Sequence, residues 1–227
     1  MTLSVLIPVF NEQATIATAI ERVLREDIVS QVIVVDDGSS DGTREILCEI
    51  EQTDPRIEVL FHNRNRGKGA ALRTAISRAT APIVIIQDAD LEYDPADFKA
   101  VIDPIAKGES NVVYGSRVLH PDNSYPLDSF RIGSFVVTQA ANVLYRAGLT
   151  DEPTRYKAFK TTLLQSLPLE ADGFEFCPEV TAWVRKRGEV IVEVPIRYSK
   201  RSVAEGKKIR WHDGITALWT LLALRFR

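Results

Sequence analysis

Nowhere in these 227 residues does an uncharged run reach the roughly 20 residues that a membrane-spanning helix needs. Ile132–Tyr145 is the longest at 14 residues, and Gly214–Leu224 has 11. Cysteine is scarce: Cys48 and Cys177 lack metal-ligand spacing and suggest a reduced compartment, with each thiol a small core group rather than a nucleophile. His62, His120 and His212 have no neighbour at ligand spacing. Met1 leads directly into an apolar segment, so no signal peptide is expected and the chain reads as cytoplasmic. The net charge of −3 implies no general affinity for nucleic acid. Two common nucleotide devices are also missing. The turn after the first apolar segment, Pro8-Val9-Phe10-Asn11-Glu12, has no glycine, which argues against a dinucleotide fold. Arg66-Gly67-Lys68-Gly69 lacks the spacing and the Ser/Thr of a P-loop.

What is present is a globular composition, 45% apolar and 26% charged, within the size range of one large domain. The charge is unevenly placed. From Arg197 onward eight Lys/Arg stand against Glu205 and Asp213, a net +6, whereas the remaining 20 basic and 29 acidic residues leave the body at −9. A basic tail on an acidic body suits an anionic partner, or is a solvated end.

Apolar and turn patterns predict strands at Leu3–Val9, Gln31–Asp36, Arg56–Phe61, Ile83–Gln87 and Asn111–Gly115. Helices are predicted at Glu12–Arg25, from Asp41 (a plausible N-cap) to about Gln52, at Gly67–Ala79, and from Pro95 to about Lys107. This alternation argues for an α/β chain whose mostly parallel central sheet carries helices on both faces. After Gly115 the rhythm breaks. Arg117–Asp128 is a polar loop long enough to be functional. Helices at Phe130–Arg146, Glu175–Arg187 and Trp211–Phe226 follow, with short strands at Tyr156–Lys160 and Glu189–Pro195. The helix at Phe130–Arg146 fits packing on the sheet or facing lipid. The closing helix, with Trp211, Ile215, Leu218, Trp219, Leu222 and Phe226 beside Arg225 and Arg227, fits an anionic membrane surface, the protein's own core or a dimer partner.

The stretch that organises the chain is Ile83-Val84-Ile85-Ile86-Gln87-Asp88-Ala89-Asp90-Leu91-Glu92. A buried strand runs into three acids at alternate positions. In an open α/β sheet ligands bind beyond the carboxyl ends of strands, so these acids stand where ligands stand. Clustered oxygen donors suit Mg²⁺ or Mn²⁺ bridging to phosphates, although an acidic solvated loop gives the same pattern. At another strand end, Asp36-Asp37-Gly38-Ser39-Ser40-Asp41-Gly42 offers a carboxylate to a base or ribose, and Arg66 and Lys68 supply positive charge near a phosphate.

Five segments carry a resemblance: Ile7-Pro8-Val9-Phe10-Asn11-Glu12, Val34-Val35-Asp36-Asp37-Gly38-Ser39-Ser40-Asp41-Gly42-Thr43, Gly67-Lys68-Gly69-Ala70-Ala71-Leu72, Asp88-Ala89-Asp90-Leu91-Glu92 and Gly115-Ser116-Arg117. In order and spacing the chain resembles the family-2 glycosyltransferases of the GT-A fold, and most of all the dolichol/polyprenol-phosphate sugar transferases, over about residues 3–200. The resemblance implies a GT-A domain over 1–200, with 201–227 a basic loop and amphipathic helix belonging to that domain or forming a membrane-surface appendage. It implies that Pro8, Phe10, Glu12, Val35 and Asp37 meet the nucleoside, that Asn11 among them belongs to the substrate-binding set, that Asp88 and Ala89 line the sugar nucleotide, that Asp90 and Glu92 bind the metal, and that Arg117 approaches the donor. Phe10 stands where the family often has tyrosine, and Glu92 where its dolichol enzymes often have glutamine. Arg201 and Glu205-Gly206-Lys207-Lys208 resemble the family's phosphate-closing loop, with lengthened spacing.

A lipid-phosphate acceptor is already anionic and needs cations rather than a base; Arg131, Arg201, Lys207 and Lys208 are candidates. A hydroxyl acceptor needs a base, for which Glu175 and Glu179 are candidates, unless they cap the helix that follows. Asp151 would orient the acceptor or cap a turn. The expected activity is inverting, metal-dependent transfer of a sugar from a nucleotide diphosphate to polyprenyl or dolichyl phosphate, by a peripheral protein on the cytosolic membrane face, with a homodimer possible. The alternatives are transfer to a growing glycan, nucleotidyl transfer, and non-catalytic nucleotide-sugar binding.

Overall fold

The computed structural model describes residues 2–123, 129–200 and 211–227. Arg201, Lys207 and Lys208 lie outside the described residues. Seven strands form one sheet in the order β3-β2-β1-β4-β6-β5-β7. These are β1 (Leu3–Val9), β2 (Val29–Asp36), β3 (Ile57–Phe61), β4 (Ile83–Ile86), β5 (Val112–Ser116), β6 (Lys157–Lys160) and β7 (Ile191–Pro195). All neighbouring pairs are parallel except those of β6, which runs antiparallel to both β4 and β5. The five strands that alternate with helices are therefore not contiguous in space, because a sixth inserts between the fourth and fifth.

The strands are apolar on both faces, as a sheet covered by helices on each side requires. In β1, Leu3, Val5, Ile7 and Val9 face one core and Leu6 the other; in β4, Ile83 and Ile85 oppose Val84 and Ile86. The first core is covered by α1 (Ile16–Leu24), α2 (Thr43–Glu51) and α4 (Phe98–Ala106). The second is covered by α3 (Lys68–Arg78), α5 (Ser129–Tyr145), α6 (Thr161–Gln165), α7 (Phe176–Lys186) and α8 (Trp211–Arg225). Each fully buried Leu or Ile here contributes roughly 1.5–3 kcal/mol relative to exposure.

Local differences from the sequence reading have local causes. The first helix starts at Ile16 because Asn11 adopts φ 49° and Glu12 to Thr15 form a turn, with Thr15 N–H donating to the Glu12 carbonyl at 3.0 Å. Asp41 sits one residue outside the assigned cap of α2, yet its Oδ1 accepts Thr43 N–H at 3.0 Å. The five-residue α6 is too short to leave a periodic signal. α8 docks on α5 and α7 through Ala217, Leu221 and Leu224, with Tyr145 donating to the Leu221 carbonyl at 2.7 Å and Lys186 to that of Leu224 at 3.0 Å. Its Ile215, Trp219 and Leu222 remain exposed, as does Phe226 just beyond its end.

Candidate active site

The sheet order reverses between β1 and β4, the kind of position where open α/β sheets bind ligands. A cavity of about 280 Å³ opens there, beyond the carboxyl ends of these strands. β1 delivers Pro8, Phe10 and Glu12; β2 delivers Asp37; the approach to α3 delivers Asn65, Gly67 and Lys68; and β4 delivers Asp88, Ala89, Asp90 and Glu92. Arg155, Gly173 and Phe174 close the far side.

Asp37 anchors one end. Its carboxylate accepts the backbone N–H of Arg66 (3.0 Å) and of Gly67 (2.7 Å), and stands 2.7 Å from His62 Nδ1. Those bonds bring the start of α3 against the end of β2. Gly67 has φ 100° and passes so close to the Asp172 carbonyl oxygen that an added Cβ would stand 2.3 Å from it.

The acidic turn forms the other wall. Leu91 adopts φ 61°, a conformation uncommon for a leucine, and Asp90 Oδ1 accepts the Glu92 N–H at 3.2 Å. The turn gathers Asp88, Asp90 and Glu92 onto one point, and a cation stands at that point. Arg155 Nη1 lies 3.0 Å from Asp88 Oδ2 and 3.1 Å from Glu92 Oε2, and also pairs with Asp90. Lys68 Nζ approaches both oxygens of Asp88, at 2.6 and 2.8 Å. Burial pushes the Asp90 carboxyl above its ordinary range against the pull of Arg155, with Asp88 and Glu92 adding to the rise. Burial also works against the charge on Arg155, yet Asp88 and Asp90 hold its guanidinium well above its ordinary value.

Hard oxygen donors that already converge on one cation position fit Mg²⁺ or Mn²⁺ chemically. Among the described residues no group of three His, Cys, Asp or Glu side chains stands in ready coordination geometry, and in this turn the convergent point is taken by the guanidinium.

Several residues expected at the site are elsewhere. Val35 is fully buried in the α3-side core, because its position in β2 points it into the sheet's covered face. Asn11 does not line the cavity; its side chain accepts Ser40 N–H at 2.8 Å and its backbone donates to Ser39 Oγ at 2.8 Å, tying two loops together. Arg66 contributes its backbone N–H to Asp37, and its side chain is not among the cavity walls. Arg117 and Asp151, expected at donor and acceptor, are each other's partners and are not among the cavity walls. Glu175 folds back on its own loop, accepting Gly173 N–H at 2.9 Å. Glu179 accepts N–H from Glu170 at 2.8 Å and from Ala171 at 3.0 Å, the structural alternative to a base. Arg131 lies on α5, outside the cavity walls.

Arg155 is the residue the sequence did not single out. It lies in Asp151-Glu152-Pro153-Thr154-Arg155-Tyr156-Lys157, and the only available signal was a lone cation in a loop opposite an acidic strand end.

The model of the family described as "Glycosyl transferase family 2" matches residues 4–167. The UDP-N-acetylglucosamine–dolichyl-phosphate N-acetylglucosaminyltransferase of Methanococcus voltae is 29% identical over 241 residues, covering 97% of this chain and 94% of that protein. The polyprenol monophosphomannose synthase of Mycolicibacterium smegmatis is 28% identical over 214 residues, covering 89% and 79%. Among solved structures, glucosyl-3-phosphoglycerate synthase from Mycobacterium tuberculosis, crystallised with Mn²⁺, UDP and glucosyl-3-phosphoglycerate, superposes with a TM-score of 0.76 at 22% identity, over 99% of this chain and 80% of that one. The same protein has been crystallised with Mg²⁺ and UDP (TM-score 0.75). At that identity the likeness is one of fold.

Proposed function

From the premise that this chain belongs to glycosyltransferase family 2, with its GT-A fold, we propose that it moves a sugar from a nucleotide diphosphate to a polyprenyl or dolichyl phosphate. The observation that carries this reading is the convergence of Asp88, Asp90 and Glu92 on one cation position inside the cavity at the sheet's switch point. The nucleoside would lie along Pro8, Phe10 and Glu12 toward Asp37, which places the diphosphate by the acidic turn. Asp90 and Glu92 would hold Mg²⁺ or Mn²⁺, which supplies charge neutralisation to the nucleoside diphosphate.

The chain's own residues do the rest by positioning and charge. Lys68 presents its ammonium beside Asp88 at the cavity wall. An oxygen of the acceptor phosphate attacks the anomeric carbon as the bond from that carbon to the diphosphate breaks, with inversion. The nucleoside diphosphate takes the electron pair. No proton need be removed, and this agrees with the engagement of Glu175 and Glu179 by backbone N–H groups. Arg131, with Arg201, Lys207 and Lys208 from outside the described residues, would balance the second anion.

No helix among the described residues is long and apolar enough to cross a membrane. The exposed Ile132, Phe135 and Val136 of α5, Ile215 and Trp219 of α8, and Phe226 just beyond it support peripheral binding to the cytosolic membrane face.

The test is incubation with labelled sugar nucleotides, Mn²⁺ or Mg²⁺ and polyprenyl phosphate. Label should enter the organic phase with release of nucleoside diphosphate. Label confined to water-soluble glycan would assign a hydroxyl acceptor, released pyrophosphate would assign nucleotidyl transfer, and binding without turnover a non-catalytic role. Sedimentation of a dimer that ignores anionic liposomes would assign the apolar face to self-association.

A further inference from the structure

Arg155 stands in the position that the three carboxylates create. Its side chain is only 12% exposed, and Nη1 alone contacts Asp88, Asp90 and Glu92. The loop that carries it is anchored from behind. Tyr156, next in sequence, stacks on Tyr93 at 4.8 Å and donates to Gln87, while Lys157 and Glu152 are fully buried at the base of the same loop. The guanidinium thus reaches the cavity from a loop whose neighbouring residues are packed and bonded.

A divalent ion at Asp90 and Glu92 would stand within contact distance of that guanidinium. Like charges repel strongly at such separation in a half-buried site, so the two cations exclude each other. We propose that Arg155 is the resident cation of the carboxylate turn and that a divalent ion binds by displacing it, so that Arg155 sets the metal affinity of the site. The displaced guanidinium remains tethered at the cavity wall, where an incoming phosphate is its natural new partner. This inference rests on the assignment of the metal to Asp90 and Glu92 made above.

Calorimetric titration of the full chain with Mn²⁺ alone tests it. Arg155→Gln, which keeps a polar side chain and removes the charge, should bind Mn²⁺ on the order of tenfold tighter than the parent, with Arg155→Lys in between. Thermal melting gives a second readout. Mn²⁺ should raise the melting temperature more in Arg155→Gln, where it restores a missing cation, than in the parent, where it exchanges one cation for another. Equal Mn²⁺ affinity and equal thermal gain in the parent and Arg155→Gln would overturn the proposal, provided Asp90→Ala abolishes binding. If Asp90→Ala leaves Mn²⁺ binding as it was, the metal assignment itself fails, which is a separable outcome.

Discussion

Arg117 and Asp151 form a buried, two-pronged ion pair. Nε and Nη2 of the arginine each lie 2.7 Å from a different carboxylate oxygen, and the Arg117 N–H adds a third bond at 3.0 Å. The side chains are 9% and 1% exposed. The pair joins the end of β5 to the loop that carries Arg155. Removing one partner leaves a buried charge uncompensated, so Arg117→Ala should lower unfolding stability by about 3–5 kcal/mol in chemical denaturation. Arg117→Lys should recover little of it, because an ammonium cannot match the planar two-pronged geometry. Wild-type stability in Arg117→Ala would refute the structural role.

Lys68 is a different kind of cation, since it faces the cavity and bonds Asp88 among the described residues. Lys68→Met keeps the stem and removes a charge beside the expected diphosphate. A charge-assisted bond of about 1.5–3 kcal/mol predicts a rise in donor KM of tenfold or more, with a smaller change in kcat. Steady-state kinetics with varied donor checks this; an unchanged KM would take Lys68 out of donor binding.

Two glycines should respond oppositely to alanine. At Gly67 the φ of 100° and the Asp172 carbonyl both resist a Cβ. Gly67→Ala should therefore destabilise the fold by more than the roughly 1 kcal/mol of a simple backbone penalty and displace the start of α3. Gly133 lies within α5, exposed, with nothing within 4 Å of an added Cβ. There alanine should stabilise by about 0.5–1 kcal/mol. Melting curves of both variants decide it.

The contrast between what the sequence revealed and what it hid has a physical basis. The run Ile83–Ile86 into Asp88, Asp90 and Glu92 was legible because a buried strand needs apolar residues on both faces and a ligand site needs the strand's end. The two cores followed from the same alternation in β1 and β2. The reversal of β6 was not legible, since Lys157–Lys160 is too short to carry direction and pairing depends on partners distant in the chain. Arg155 meets Asp90 across 65 positions, and nothing local to either residue encodes that meeting. Val35 and Asn11 show the converse. Both sit in segments that resemble a binding motif, yet one side chain points into the core and the other ties loops together.

The loop behind Arg155 depends on a second buried pair. Lys157 Nζ donates to the Glu152 carbonyl at 2.5 Å, lies 3.8 Å from the Glu152 carboxylate and sits 3.6 Å above the Tyr114 ring. Glu152 also accepts from Thr181 at 2.8 Å. Burial raises the Glu152 carboxyl above its ordinary 4.5, with Lys157 and Thr181 opposing. The native state thus holds a proton that the unfolded chain has released over the window from 4.5 up to the raised native value. Glu152's contribution is fully present below 4.5 and declines as pH rises through that window, then levels off. Glu152→Gln should remove this decline from the stability–pH curve. Lys157→Met alone strands the carboxylate and should destabilise by about 3–5 kcal/mol, whereas Glu152→Gln with Lys157→Met replaces both charges and should recover most of that loss. Denaturation of the two single variants and the double variant at several pH values measures the coupling; additive losses with an unaltered pH slope would show that the two side chains do not act as a pair.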